Sequence, residues 1–157
     1  MRIIRFIKHL IRCIMSEYPY LNFHFQVEWG GTRLGFTEVS GLEIEHEIVE
    51  YREGASPVSS SKKMPGIRKY SNITLKRGIV KGDNEFFEWI NTISMNQVER
   101  RDVIIKLLDG RHDPVRVWRI RNAWPVKFSG TDLKADSGEV AIESLELAHE
   151  GMTVETE

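Results

Sequence analysis

At 157 residues, with 41% hydrophobic and 29% charged side chains, the chain has the length of one domain and the composition of an ordinary soluble globular protein. A domain of this size buries roughly 70% of its unfolded surface without staples. The single cysteine, Cys13, rules out an internal disulfide, and with no CxxC or Cys/His cluster a structural zinc is not expected either. Formal net charge is −1, but residues 1–14 carry +4 (Arg2, Arg5, Lys8, Arg12) and the other 143 residues, with 18 basic and 23 acidic side chains, carry −5. A body of that sign is not drawn to phosphates, so specific nucleic-acid binding is not expected.

Residues 1–14, MRIIRFIKHLIRCI, place Ile3, Phe6, Ile7, Leu10, Ile11 and Ile14 at helical spacing with the basic residues largely opposite. Three readings compete for this segment. It fits a basic amphipathic helix on a membrane surface or a partner. A signal sequence fits less well, because Arg5, Lys8 and Arg12 interrupt the apolar run and no small-residue cleavage site follows. The preferred reading is sequence upstream of the true start, since Met15-Ser16-Glu17 resembles an ordinary protein beginning. The expected division is a basic extension over 1–14 and one domain over 15–157.

From Phe23 the period changes to two, with Phe23, Phe25, Val27 and Trp29 on one face of a half-buried strand. Gly30-Gly31 then reads as a hairpin turn, and 34–39 as the returning partner. After Gly41, the run 42–51 alternates Leu42, Ile44, His46 and Ile48 against Glu43, Glu45 and Glu47. A lone histidine on such a face is ordinary, and His46 is given no chemical role. Residues 52–66, rich in Ser, Pro and Gly and carrying Lys62-Lys63, read as a long irregular loop, well beyond the usual ~4–6 residue connection. Strand character resumes over 67–77.

Asp83 is placed to cap a helix whose stripe is Phe86, Trp89, Ile90 and Ile93. Such an aromatic stripe is expected to pack against the sheets. A strand follows at 101–108, a loop opening at Asp109-Gly110 and reaching to about Pro114, and a return strand over 115–121. Trp124-Pro125 is expected to interrupt pairing, because proline offers no amide. After a turn at Asp136-Ser137-Gly138, the last strand, 139–150, changes phase between Val140/Ile142 and Leu145/Leu147, which predicts a bulge near Glu143-Ser144. The fold class is mainly β: a small β-sandwich or barrel of about eight strands with one flanking helix.

Catalytic patterns are wanting. There is no GxSxG, HExxH or P-loop. A glycosidase-like carboxylate pair remains open from sequence alone, but exposed strand glutamates explain the acids more simply. Arg100-Arg101-Asp102 reads as charged flanking before a strand, and His149 has no evident partner. No catalytic, cofactor-binding or metal-ligating residue is assigned, and the chain is read as a non-enzyme.

The segments NFHFQVEWGGTRLGFTEVSGL, MPGIRKYSNITLKRG, GDNEFFEWINT, ERRDVIIKLLD, VWRIRNAWPVKFSGTDLKA and EVAIESLELAHEG resemble, in order, the inner tail-tube proteins of contractile injection systems. The likeness is to the extracellular, antifeeding-prophage-like type and to phage tail-tube proteins. It covers about residues 18–152 and leaves 1–14 outside. The resemblance implies a β-sandwich or barrel related to the haemolysin-coregulated protein. It also implies hexameric rings stacked into a tube inside a contractile sheath, with baseplate and cap proteins as partners and protein effectors as cargo. Assembly in the bacterial cytoplasm, into a particle then released or membrane-anchored, is implied as well.

By the same resemblance, the 52–69 segment looks like an arm that reaches the next ring, with Lys62, Lys63, Arg68 and Lys69 as its contacts. Glu43, Glu45 and Glu47 are candidates to face the lumen. Closing about 24 strands at ~4.8 Å spacing and ~40° tilt gives a backbone diameter of roughly 48 Å, wide enough inside for a compact protein of about 100 residues. Two alternatives stand beside the tube subunit: a tube-initiating or baseplate protein of the same machine, and a β-barrel binding module or secreted effector.

Overall fold

The computed structural model describes residues 19–30 and 35–156; the basic segment 1–14 and the candidate start at Met15 lie outside the described residues. Nine strands and one short helix occur among them: β1 (Phe25–Glu28), β2 (Phe36–Ser40), β3 (Ile44–Tyr51), β4 (Lys62–Tyr70), β5 (Ile73–Gly78), α1 (Glu85–Ile90), β6 (Arg101–Leu108), β7 (Pro114–Ser129), β8 (Ile142–Ala148) and β9 (Gly151–Thr156). Seven strands form the body, and β3 pairs only with β4.

The body is organised around β7. Its first half pairs with β6 on one side and β9 on the other, while its second half pairs with β8. β8 and β9 follow each other along the same side of β7, with Trp124 opposite Ala148 and Arg121 opposite Gly151. Two four-stranded layers result, β1-β6-β7-β9 and β7-β8-β5-β2, which share the long strand. Their inner faces meet in a core that includes Val27, Trp29, Leu75, Val103, Ile120, Leu145 and Leu147.

The strand β1 does not form a hairpin with β2, contrary to the reading of Gly30-Gly31. β1 pairs with β6, and β2 pairs with β5. Each carries an apolar face, and the two faces look at one another across the core: the Trp29 and Phe36 rings meet edge to face at 6.4 Å. Burying both aromatics against α1 outweighs a local two-strand ribbon, which is only marginally stable on its own.

α1 is short. Phe86 and Trp89 are buried, but Ile93 lies beyond the helix end and is exposed. Asn84 occupies the N-cap position without a side-chain cap bond, while Asp83 Oδ1 accepts the Glu85 amide at 3.1 Å. Trp89 donates its indole N–H to Glu99 O at 2.8 Å, so this buried ring keeps its polar atom satisfied.

Arg77 accounts for the phase change in β8. Ile73, Leu75 and Arg77 share the inward face of β5, opposite Leu147, Leu145 and Glu143. Arg77 is about 1% exposed, donates from Nε to Glu143 Oε1 at 2.7 Å and from Nη2 to Asp83 Oδ1 at 3.0 Å, and lies over the Phe86 ring at 3.8 Å. Its Nη1 is 3.0 Å from Asp83 Oδ2, close enough for ion pairing but outside hydrogen-bond alignment. Glu143 is therefore a core-facing residue, not a bulge: the register from Ile142 to Leu147 against β5 runs without a shift. Val140 precedes the strand altogether.

Pro125 does not end β7 either. Past Ala123 the strand has no β6 partner, so Pro125 sits where β7 has become an edge strand, the position in a sheet that tolerates proline. The irregularity is a register shift between Pro125 and Lys127 against β8. The Asp109 hairpin loop forms where expected, between β6 and β7.

Candidate assembly interface

β3 and β4 continue the β2–β5 hairpin beyond the body. The break between the two parts falls at 41–43 on one strand and at 71–72 on the other. Gly41 has φ of +87°, and a Cβ there would stand 2.0 Å from the Asn72 carbonyl oxygen, so glycine is required twice over. Beyond it the chain rejoins as a second antiparallel pair from Ile44–Tyr70 to Tyr51–Lys62. The segment read as a loop over 52–66 is thus irregular only over about 52–61. Its later half pairs with the glutamate-bearing strand, which supplies the edge that makes Lys62–Gly66 extended.

This arm has no interior. All eight residues of β3 are exposed, and β4 has no buried residue. Ile48, Tyr51, Met64 and Ile67 are each about half exposed or more. Between His46/Arg68 and Ile48/Pro65 two residues of β4 face one of β3. This bulge depends on Gly66, where a Cβ would lie 2.9 Å from Val49 Cγ2 and 3.0 Å from Glu47 O.

The two sets of candidate residues turn out to share this one hairpin. Lys62, Lys63, Arg68 and Lys69 lie on β4; Glu45 and Glu47 lie on β3, and Glu43 just before it. Lys69 Nζ is 3.6 Å from Glu47, Lys63 Nζ is 3.7 Å from Glu50, and Arg68 Nε donates to His46 Nε2 at 3.2 Å. Exposed pairs of this kind are worth about 0–1 kcal/mol, so they exchange readily for other partners. Lys62 makes no ion pair among the described residues.

The base of the arm is held by polar contacts that sequence reading did not supply. Ser71 Oγ donates to Glu43 at 3.2 Å, and Asn72 Nδ2 donates to Glu146 at 2.8 Å. The ring nitrogens of His149 lie 3.2 Å from Gly151 O and 3.1 Å from Ser71 O, with Tyr70 packed against the ring at 5.2 Å. His149 thus joins the arm's root to the β8–β9 junction. Beside it, the Glu150 carboxyl sits below the usual carboxylate range, held there first by the Asn122 amide and then by the Arg100 guanidinium. The Asp109 carboxyl is likewise lowered, by the Asp113 and Arg111 amides of its turn.

Arg100 pairs with Glu150, Arg101 lies over Trp89 at 4.7 Å, and Asp102 accepts the Asn122 amide at 2.9 Å, so that charged triplet fastens the body. Among the described residues no three His, Cys, Asp or Glu side chains gather as a metal site, and no helix is long and apolar enough to cross a membrane.

The outer face of the β2-β5-β8-β7 layer is the other distinctive surface. Its register brings together Ser40 with Thr74, Glu38 with Lys76, and Ser129 with Ser144. Lys76 Nζ contacts both Glu38 carboxylate oxygens at 3.0 Å. Short hydroxyls and matched charges leave the middle of this face wetted, with Ile142 toward one end and Trp124 opposite Ala148 toward the other.

No curated protein sequence matches the chain. Among solved structures, a chain of the anti-feeding prophage cap, the tube-terminating cap, is 35% identical with a TM-score of 0.84, covering 92% of this chain and 95% of that one. A chain of the PVC sheath-tube complex, an extracellular contractile injection system in the extended state, is 33% identical with a TM-score of 0.84, covering 92% and 97%. Hcp1 from Flavobacterium johnsoniae shares the fold at 14% identity and a TM-score of 0.53, covering 85% and 95%. Residues 21–153 match the family described as T4-like virus tail tube protein gp19, and the chain belongs to that family.

Proposed function

We propose that this chain is the repeating subunit of the inner tube of a contractile injection particle, forming hexameric rings that stack through the β3–β4 arm. The observation that carries the reading is the arm itself. A two-stranded ribbon with no buried residue and several large apolar side chains in water is marginal alone and gains its order by packing on another surface. The similarity to a chain of a sheath-tube complex supports the same role.

In this reading Lys62, Lys63, Arg68 and Lys69 meet the neighbouring ring. The hydroxyl-rich outer face of the β2-β5-β8-β7 layer lines the lumen, with Glu43, Glu45 and Glu47 where the arm leaves that wall. The hydroxyls and matched charges along the middle of that wall keep it wetted and resist adhesion of passing protein. The partners are further copies of the chain, a contractile sheath, baseplate and cap proteins, and protein effectors in the lumen. The role is structural and non-enzymatic, in a particle assembled in the bacterial cytoplasm and then released or membrane-anchored.

Electron microscopy of the purified protein tests the reading. Stacked rings are expected. Single rings that never stack favour a tube-initiating protein, and monodisperse monomers under all assembly conditions refute it. In tubes carrying Glu43→Lys, Glu45→Lys and Glu47→Lys, cargo retention should change while assembly persists; assembly lost instead makes these residues part of the interface.

A further inference from the structure

Resting on the tube reading, we infer that the arm of one subunit docks on the opposite end of another copy of this chain, in the groove formed by the β7–β8 connection. Strand register fixes the geometry. The arm leaves the layer beyond Ser40 and before Ile73, whereas Gly78 pairs with Ile142 and Ser129 with Ser144 at the other end of the same strands. The 130–141 connection therefore lies at the end remote from the arm, and Ile79 joins it by donating its amide to Ala141 O at 3.0 Å.

That end is unfinished in the same way as the arm. Leu133 is 90% exposed and Val140 75%, with Ile79 and Val80 also exposed beside them. Leu133 and Val140 line an open groove of about 590 Å³ together with Asp132, Lys134 and Glu139. Large apolar side chains on both surfaces are matched by opposite charge. The 130–141 connection has Asp132, Asp136 and Glu139 against Lys134, a net −2; residues 52–70 have five basic side chains against Glu53, a net +4. The three carboxylates form no ion pair among the described residues, and neither does Lys62.

Symmetry selects this pairing over arm against arm. An arm meeting its own copy is an isologous contact that closes after two rings, whereas an arm meeting a different surface of the next copy is heterologous and repeats without limit. A tube of many rings needs the second kind. The surface that receives the arm must lie at the other end of the subunit, where the acidic, apolar groove is.

The test is a charge exchange in the full chain, read as tube length by electron microscopy. Lys62→Glu with Lys63→Glu should abolish stacking and leave single rings. Asp132→Lys with Glu139→Lys should do the same, and the four changes together should restore stacked rings. Wild-type tubes from the arm variant alone would overturn the arm's role in stacking, and this docking with it. Wild-type tubes from the groove variant alone overturn only the docking assignment, including where sheath assembly is lost instead. Where both variants break stacking and the combination does not restore it, Lys63→Cys with Glu139→Cys in a Cys13→Ser background decides. A ladder of ring-to-ring products with a short bis-maleimide supports the contact, and monomer alone removes it.

Discussion

The body and the arm are made from the same hairpin, yet they solve opposite problems. In β5, Ile73, Leu75 and Arg77 alternate with Thr74 and Lys76, and the inward set is wholly buried. A few residues earlier, β4 is interrupted by the bulge at Gly66 and buries nothing. β5 has a backbone partner on each side, β2 and β8, whereas β4 has β3 alone. They differ as much in whether a second layer covers one face: α1 and the β1-β6-β7-β9 layer cover β5, and nothing in this subunit covers β4. The ladder gives shape to both regions, but only the covered one draws stability from within the chain.

Three substitutions probe that contrast, measured as urea unfolding of the unassembled protein. Trp89→Ala should have the largest effect, about 3–5 kcal/mol, because it opens a cavity between α1 and the layers and orphans Glu99 O. Gly41→Ala should be intermediate, at about 1–3 kcal/mol, since it adds left-handed strain and forces the Asn72 carbonyl away. As the strain sits at the arm's root, it should also speed proteolysis within 52–61. Ile67→Ser should change unfolding least, by under about 0.5 kcal/mol, because the side chain is already 72% exposed. The same substitution should shorten or abolish tubes. A large loss of monomer stability from Ile67→Ser would mean that the arm packs on its own subunit, and the contrast would collapse.

Sequence periodicity recovered what local chemistry controls. The Phe86/Trp89 part of the α1 stripe, the Asp109 loop and the alternation of β5 are short-range signals, and they correspond to observed elements, whereas Ile93 falls beyond the helix. The misreadings arose where distant partners decide. Gly30-Gly31 looks like a hairpin because a turn is local, whereas the pairing of β1 with β6 is not. Glu143 looked like a break in phase because its counter-ion, Arg77, lies 66 residues away. Residues 62–66 looked irregular because Lys-Lys, Pro and Gly are poor strand formers; they are extended because β3 pairs with them and Gly66 fits the bulge. β9, with its Met-Thr-Val-Glu pattern after Gly151, was missed because the preceding strand was carried on to Glu150, when it ends at Ala148.

For the interface, sequence named the basic residues of β4 and the acids of β3 but not that they face one another across one ribbon. His149 was equally illegible. Its two contacts are backbone carbonyls, and carbonyls leave no trace in a side-chain pattern.

The continuity of β7 has a mechanical corollary. Sixteen residues run without a loop from one layer into the other, with β8 and β9 alongside for most of the length. Sliding one layer over the other would have to shear the antiparallel bonds of this ribbon together, because no flexible connection lies between the layers along that path. A load applied at one end of the subunit therefore travels to the other along a covalent backbone braced by hydrogen bonds, and the two layers deform as a single stiff body.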